Sequence, residues 1–360
     1  MEKFPLLRLP AVPLKKVVKE LNFILLALCS EKMGRVVASM RFKTSVFKIN
    51  HTAVEKNISV SFKTLNLQWN FVVSSDASEY NYKYTFEGQT IKFNIIRLHW
   101  RYFTINSLCG SSTAKTVEHF LRKTFVCENI DYKIDGEGCQ NIENYILEKV
   151  NKDPNCKSLS LGTIANVQMN NSSRPKPFTQ PIKEEHLEFV FKNLVDRIEL
   201  IVVGDPGKKF RYYYRITQKY ITVRTPKYWF TFQNLIGARC ESLILSRNER
   251  SSHCNLNPEQ LNNYLKRWID GKQPDISYLY VELQWYPQKT EKWGQLTAGI
   301  ELLDFDAKRN DEDYGGPSLV NMRMNNSKLK FWDIHATDGT MSCIGCEGTT
   351  FLLKVFKSKE

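Results

Sequence analysis

The sequence predicts an α/β chain: three short N-terminal helices, a β-rich stretch, then helix–strand units stacked as an irregular solenoid on a parallel sheet. Three observations carry this. Prolines and short apolar stripes crowd the first forty residues. Period-two alternation marks 42–105. From residue 115 a helix pattern followed by the spacing φ-x-x-φ-x-φ recurs. The 360 residues suffice for one large domain or two to three small ones.

The opening reads Phe4-Pro5-Leu6-Leu7-Arg8-Leu9-Pro10-Ala11-Val12-Pro13-Leu14. Its prolines keep the segment extended, and Pro13 suits a first helical position. Leu14, Val17, Val18 and Leu21 then follow at helical spacing, with Lys15, Lys16, Lys19 and Glu20 on the other face. A second apolar run, Phe23 to Cys29, leads to Ser30, an N-cap candidate, and Val36, Val37 and Met40 give a third stripe. Three such helices cannot bury their own apolar surface and need a partner. The Phe23–Cys29 run is the longest apolar run and far too short to span a membrane. Read as a secretory signal it sits too far from the start, behind Pro10 and Pro13. The sequons at Asn50, Asn57, Asn170, Asn171 and Asn325 matter only in a secreted chain.

In the β-rich part, Phe62, Leu65, Leu67 and Trp69 alternate, as do Ile91, Phe93 and Ile95; Ser74 to Tyr84 reads as a loop or hairpin tip. The repeat follows. Its strand triplets are Cys127/Ile130/Tyr132, Cys156/Leu159/Leu161, Val195/Ile198/Leu200, Cys240/Leu243/Leu245 and Ile276/Leu279/Val281. Helical stripes precede them: Val117/Phe120/Leu121, Ile142/Tyr145/Ile146, Leu187/Val190/Phe191/Leu194, Thr231/Phe232/Leu235/Ile236 and Leu261/Tyr264/Leu265/Trp268. The best-marked helix has Asn257 as N-cap, Pro258 first, Gln260 in the capping-box position and Gly271 beyond its end. The repeat distances of 29, 39, 45 and 36 residues make the solenoid a degenerate, leucine-rich-like one. An α/β domain with coincidental spacing is the plainer alternative. Asp338-Gly339 between apolar segments is a hairpin signal.

Two sets of these residues resemble a known family. Phe4 to Pro10, Leu14-x-x-Val17-Val18, Leu28-Cys29-Ser30-Glu31-Lys32 and Val36-Val37-Ala38-Ser39 resemble an F-box, in the form of the F-box-associated family expanded in nematodes. Tyr228-Trp229-Phe230-Thr231-x-x-Asn234-Leu235, Cys240 to Leu245, Gln260 to Trp268 and Gly271-x-x-Pro274-x-Ile276-x-x-Leu279 look like the type 2 F-box-associated domain. Trp332-Asp333-Ile334, Asp338-Gly339-Thr340 and Phe351 to Phe356 resemble its end. The resemblance implies an F-box at 1–41, a β-rich linking part at 42–115 and a leucine-rich-like F-box-associated domain at 116–360, most recognisable at 228–283. It further implies a substrate receptor of a cullin–RING ubiquitin ligase, within the ubiquitin-conjugation pathway. Pro5, Leu6, Leu7, Leu9, Pro10, Leu14, Val17, Val18 and Leu21 would dock on a Skp-type adaptor, which links the chain to a cullin. The body would bind an unidentified target protein. One departure stands out: the chain between Leu21 and Cys29 is shorter than the usual pattern and lacks the proline-and-acid junction. The other reading of 1–41 is a helical cap on the larger domain.

Composition sets the remaining limits. Hydrophobic residues make up 42% and charged residues 25%, which is a globular composition. The net charge of +13 suits an acidic protein, a nucleic acid or a membrane surface. Nine cysteines, odd in number and irregularly spaced, favour a reducing cytoplasmic or nuclear compartment. Cys343-Ile-Gly-Cys346 is read as part of an ordinary hairpin, with zinc or redox chemistry as the alternative. The sequence has no GxxxxGK[ST], GxGxxG or HExxH, and its histidines at 51, 99, 119, 186, 253 and 335 stand singly, so no enzyme and no cofactor or metal is expected. The segment Lys208 to Arg215 interleaves Lys and Arg with Phe210, Tyr212, Tyr213 and Tyr214. It is either an edge strand with charges facing solvent or, less simply, a protein or nucleic-acid contact. A basic solenoid binding nucleic acid or protein without a ligase role is therefore the competing function.

Overall fold

Alternation and helical spacing both become structure. The computed structural model of the protein describes residues 15, 23–51, 56–62, 67–74, 82–86, 89–99, 102–108, 111–134, 141–162, 164–167, 176–179, 182–203, 206, 210, 212, 215–224, 229–246, 254–273, 275–287, 289–306 and 330–356. The chain forms two compact units. The first comprises Met1–Lys133, Glu137–Cys139 and Asp153–Lys157, and the second comprises the rest. Both expected N-terminal parts, 1–41 and 42–115, fall in the first.

In the first unit, helix α1 (Phe23–Cys29) is followed by α2 (Glu31–Ser39). Ser30 separates them and accepts a hydrogen bond from the Met33 amide at 3.2 Å, as an N-cap should. Ile24, Ala27 and Val37 are fully buried, so the second and third expected stripes are core. The first, Leu14 to Leu21, lies outside the described residues.

Strands β1 (Val46–His51), β2 (Lys56–Phe62), β3 (Leu67–Ser74), β4 (Tyr82–Phe86), β5 (Gln89–His99) and β6 (Tyr102–Leu108) follow. Helix α3 (Ser111–Thr124) and strand β7 (Ile130–Ile134) complete the unit. Its sheet runs β7-β1-β2-β3-β6-β5-β4, antiparallel among β1 to β6 except for β3 with β6. The run expected to be one alternating strand at 62–69 is instead a reversal, since Phe62 pairs directly with Leu67. The alternation changes phase across that turn: Ile58, Val60 and Phe62 point inward before it, and Trp69 and Phe71 after it.

One face of this sheet is core. Phe47, Ile49, Ile58, Val60, Phe62, Trp69, Phe71 and Phe93 are buried, and α3 packs across β2 and β3 with Val117, Phe120 and Leu121 inward. On the other face Lys48 is exposed, and Asn50, Ser59, Ser61, Gln68, Asn70 and Asn94 are half-buried. That is the two-sided pattern of an antiparallel sheet wet on one side.

A hydrogen-bonded ionic node pins α3 within this unit. The Arg122 guanidinium donates to Glu118 at 2.9 Å, to Asp153 at 2.8 Å and to the Tyr132 hydroxyl at 2.7 Å. Tyr132 donates to the same Asp153 oxygen at 2.8 Å. Burial works against the Asp153 carboxylate, but the bonds from Arg122 and Tyr132 outweigh it and hold its pKa below the ordinary carboxylate value. Burial pushes the Tyr132 phenol up.

In the second unit, α4 (Ile142–Tyr145) continues into a π-turn, Ile146–Val150. Then come β8 (Cys156–Leu161), the hairpin β9 (Ile164–Val167) and β10 (Lys176–Thr179), α5 (Glu184–Asn193), β11 (Glu199–Val202) and β12 (Tyr220–Val223). Next are α6 (Phe232–Gly237), β13 (Ser242–Leu245), α7 (Pro258–Ile269), β14 (Tyr278–Glu282) and α8 (Thr290–Thr297). Strands β15 (Leu303–Asp304), β16 (Lys330–His335), β17 (Met341–Glu347) and β18 (Thr350–Phe356) close the chain. The expected capping box is present: Asn257 and Gln260 exchange hydrogen bonds at 2.8 and 3.0 Å, and Gly271 takes φ +71. Asp338 and Gly339, with φ +86, turn β16 into β17.

Strands β8, β11, β12, β13 and β14 are parallel neighbours in that order. Leu159, Leu200, Ile221, Leu243 and Leu279 lie in one cross-strand row, all almost fully buried. Two expectations need correction here. The β11 triplet is shifted by two residues, because Leu200 and not Ile198 pairs with Leu159. A whole strand, β12, was not expected, because Gln218 occupies the first position of its triplet Gln218/Ile221/Val223. Beyond β14 the sheet continues antiparallel through β18, β17 and β16 to β15. The result is a mixed α/β unit on a large mixed sheet.

Candidate protein-interaction surface

The strand order fixes which face of the second unit carries helices. Successive parallel strands step in one direction, and right-handed crossovers then place every connecting helix on the same side. Leu187, Val190, Phe191, Leu235, Leu261, Leu265 and Trp268 on α5, α6 and α7 are buried, as is the Leu159–Leu279 row.

The crossover from β11 to β12 is different. No helical stripe precedes β12. Phe210, Tyr212 and Ile216 are buried in its place. The Tyr212 ring lies 4.5 Å from Phe191, and Phe210 lies 5.7 Å from Trp229 at 61°. The segment Lys208 to Arg215 is thus no edge strand at its described positions, and its Phe210 and Tyr212 rings are core rather than surface for stacking bases.

Side-chain amides stitch these units together. Gln218 Nε2 donates to the Phe191 carbonyl in the last turn of α5 at 2.5 Å, and Gln273 Nε2 to Ile236 in the last turn of α6 at 2.6 Å. Asn234 Nδ2 reaches the Tyr212 carbonyl at 2.5 Å, and Asn262 Nδ2 reaches Leu296 and Ala298 at 2.8 and 3.0 Å. Asn151 bonds both the Asn193 carbonyl and the Val195 amide. Each amide satisfies carbonyls that a helix end or an irregular crossover leaves over.

The opposite face is the candidate site. Ile201, Thr222, Ile244 and Tyr280 form one cross-strand row there, half-buried except for Thr222, which is buried. The parallel row Glu199, Tyr220 and Ser242 is half-buried too. The Thr222 hydroxyl donates to Glu199 at 3.1 Å and Tyr280 donates to Glu282 at 3.2 Å. Toward β18 and β17 the face closes. Tyr278, Cys343, Leu352 and Phe356 are buried against Ile244, Tyr280, Phe305, Phe331 and Met341. The Phe331 ring lies on Gly345, where a Cβ would meet it at 2.6 Å, so a larger residue there would have to displace the ring. The face therefore runs from an apolar, filled end at β17 to a half-exposed row of Ile, Tyr and Thr over β11 to β14. Aromatic and aliphatic side chains of this kind, bordered by polar groups, suit a protein contact.

The expected adaptor-docking residues Pro5, Leu6, Leu7, Leu9, Pro10, Leu14, Val17, Val18 and Leu21 all lie outside the described residues. Cys343 and Cys346 lie within strand β17 rather than in a turn. Three residues apart on a strand, they point to opposite faces and cannot share one metal. Among the described residues no group of three His, Cys, Asp or Glu could hold a metal ion, and no helix is long and apolar enough to cross a membrane. Burial raises the Cys127 and Cys346 thiols to about 11 and the Cys240 and Cys254 thiols to about 12, values of inert core cysteines. Sequence reasoning missed the face row. Its signal was present in Tyr278-Leu279-Tyr280-Val281, where the residues between core positions are themselves aromatic.

No curated protein and no solved structure matches the chain. A family model described as F-box associated matches residues 213–281, so the part running from the crossover before β12 through α6, β13 and α7 to β14 is similar to an F-box-associated domain.

Proposed function

We propose that the chain is an F-box substrate receptor of a cullin–RING ubiquitin ligase. The observation that carries this reading is the F-box-associated match at 213–281, which falls on the parallel strands whose second face bears the half-buried Tyr220, Ile244 and Tyr280. In this reading residues 1–41 are the F-box, and Pro5, Leu6, Leu9 and Pro10 present an apolar edge to a Skp-type adaptor. The parallel strands form a degenerate leucine-rich-like solenoid whose helix-free face holds the target protein. The chain itself carries out no chemistry. It raises the effective concentration of a target lysine near a charged ubiquitin carrier, a proximity effect on the order of millimolar for short tethers. It works inside the cell, cytoplasmic or nuclear, where its buried thiols Cys127, Cys156, Cys240, Cys254, Cys343 and Cys346 stay reduced.

The test is direct titration of the purified chain with a purified Skp-type adaptor. Leu6→Asp with Leu9→Asp should abolish binding while leaving the melting curve of the body unchanged. Undiminished binding by that variant, or no binding by the wild-type chain, would reject the reading.

A further inference from the structure

The basic excess is carried by one part of the chain. Residues 1–133 hold 20 Lys and Arg against 10 Asp and Glu, whereas residues 134–360 hold 31 against 28. The strands of the first unit sharpen the asymmetry. Together β1 to β6 contain Lys48, Lys56, Lys83, Lys92 and Arg97 and no acidic residue.

The arrangement at the β4–β5 end is specific. Lys83 stands directly opposite Lys92, and Thr85 opposite Thr90, with the two hydroxyls 3.0 Å apart. All four residues are exposed. Like charges directly opposite one another across two strands are unfavourable. A lysine on an edge strand has an ordinary use, since it discourages pairing with another chain, and β4 is the edge. That accounts for Lys83; Lys92 faces it from the neighbouring strand β5, one residue before the β5–β6 ladder begins at Phe93. The same face continues through amide and hydroxyl side chains, Asn94, Asn70 and Ser59, to the exposed Lys48 on β1. It offers cations and neutral hydrogen-bonding groups to a partner.

We propose that this face of the first unit, whose described residues include no carboxylate, docks an acidic segment of a partner protein, with Lys83 and Lys92 meeting its carboxylates. Charge complementarity selects the occupant, and the side chains select protein over nucleic acid. Among the described side chains of this face there is no aromatic ring on which a base could stack. The proposal does not depend on the ligase reading, which places its target on the other unit.

The experiment uses the full chain and a fluorescein-labelled peptide of alternating Asp and Glu, with a Gly/Ser peptide and a single-stranded oligonucleotide of the same length. Anisotropy should show binding of the acidic peptide that weakens severalfold between about 50 and about 200 mM salt. Lys83→Glu with Lys92→Glu should weaken it roughly tenfold or more, as expected for two lost charge-assisted contacts, at an unchanged melting temperature. Lys192→Glu with Lys272→Glu, two exposed lysines of the second unit, makes the same change in net charge and should alter binding less than about twofold. Equal losses in the two double variants would reduce the effect to net charge and overturn the proposal. So would absence of binding by the wild-type chain, or an oligonucleotide that binds more tightly and is lost in the same Lys83/Lys92 variant.

Discussion

The two units solve the same burial problem with different sheets. In the first, alternating strands give one apolar and one polar face, so a single layer of helix over β2 and β3 completes the core. In the second, parallel strands carry apolar residues on both faces. The helices cover one face, and among the described residues the other is filled toward β17 and β18. An antiparallel sheet can leave a face to water because its sequence makes that face polar. A parallel sheet that leaves Ile201, Ile244 and Tyr280 half-buried has apolar surface to spare, and such a surface gains by being covered. The units differ equally in their polar interiors. The first is pinned by one ionic node around Arg122, the second by a series of neutral amide donors.

The comparison can be broken most forcefully in the second core. Leu243→Asp would bury an unpaired charge between Ile221 and Leu279 and should cost more than about 4 kcal/mol, unfolding that unit. Hydrogen exchange should then show loss of protection in β12 to β14. Retained protection there would contradict the parallel stack.

The ionic node comes next. Arg122→Met removes the guanidinium from Glu118 and Asp153 and should destabilise the first unit by about 3 kcal/mol in urea melts. The node also has a pH signature. Because the folded-state pKa of Asp153 is depressed, its contribution is present above the ordinary carboxylate value and is lost as pH falls through the folded one. Acid titration of stability should therefore be shallower in Asp153→Asn than in the wild-type chain. Buried Tyr132, Tyr264 and Tyr278 have raised pKa values, so the stability each contributes is full below the free phenol value near about 10 and falls as pH rises beyond it.

Smaller effects separate the amide links. Gln218→Ala and Gln273→Ala each leave a helix-end carbonyl without its donor and should cost about 1–3 kcal/mol by chemical denaturation, against under about 0.5 kcal/mol for the exposed Lys192→Ala. Smallest is the thiol test. Cys127, Cys240, Cys254 and Cys346 should resist alkylation at neutral pH until the chain is denatured. Rapid labelling of the native chain would contradict their burial.

What could be read in advance follows the same contrast. Helices with periodic stripes, such as α5, and above all α7 with its side-chain capping box, were legible because their signals are local. So was the Asp338-Gly339 turn. Strand β12 was not, because its first triplet position holds Gln218, a residue whose burial makes sense only once the Phe191 carbonyl stands beside it. The β11 register failed for a related reason. Ile198 and Leu200 are both buried, and only the partner strand decides which of them faces Leu159. In the first unit the β2–β3 reversal left only a small trace, the three-residue step from Phe62 to Leu65 that shifts the phase of alternation. The face row of the second unit was hidden because Tyr and Ile there look like further core.

The central claim is that one end of the chain engages the ligase while the helix-free face of the second unit engages a target. Affinity purification of the intact chain from cells, followed by mass spectrometry, tests it most directly when two variants run beside the wild type. Leu6→Asp with Leu9→Asp should lose adaptor and cullin and retain any target. Ile201→Arg with Ile244→Arg should retain adaptor and cullin and lose the target. A wild-type sample without adaptor or cullin, or two variants that lose the same proteins, would contradict the account.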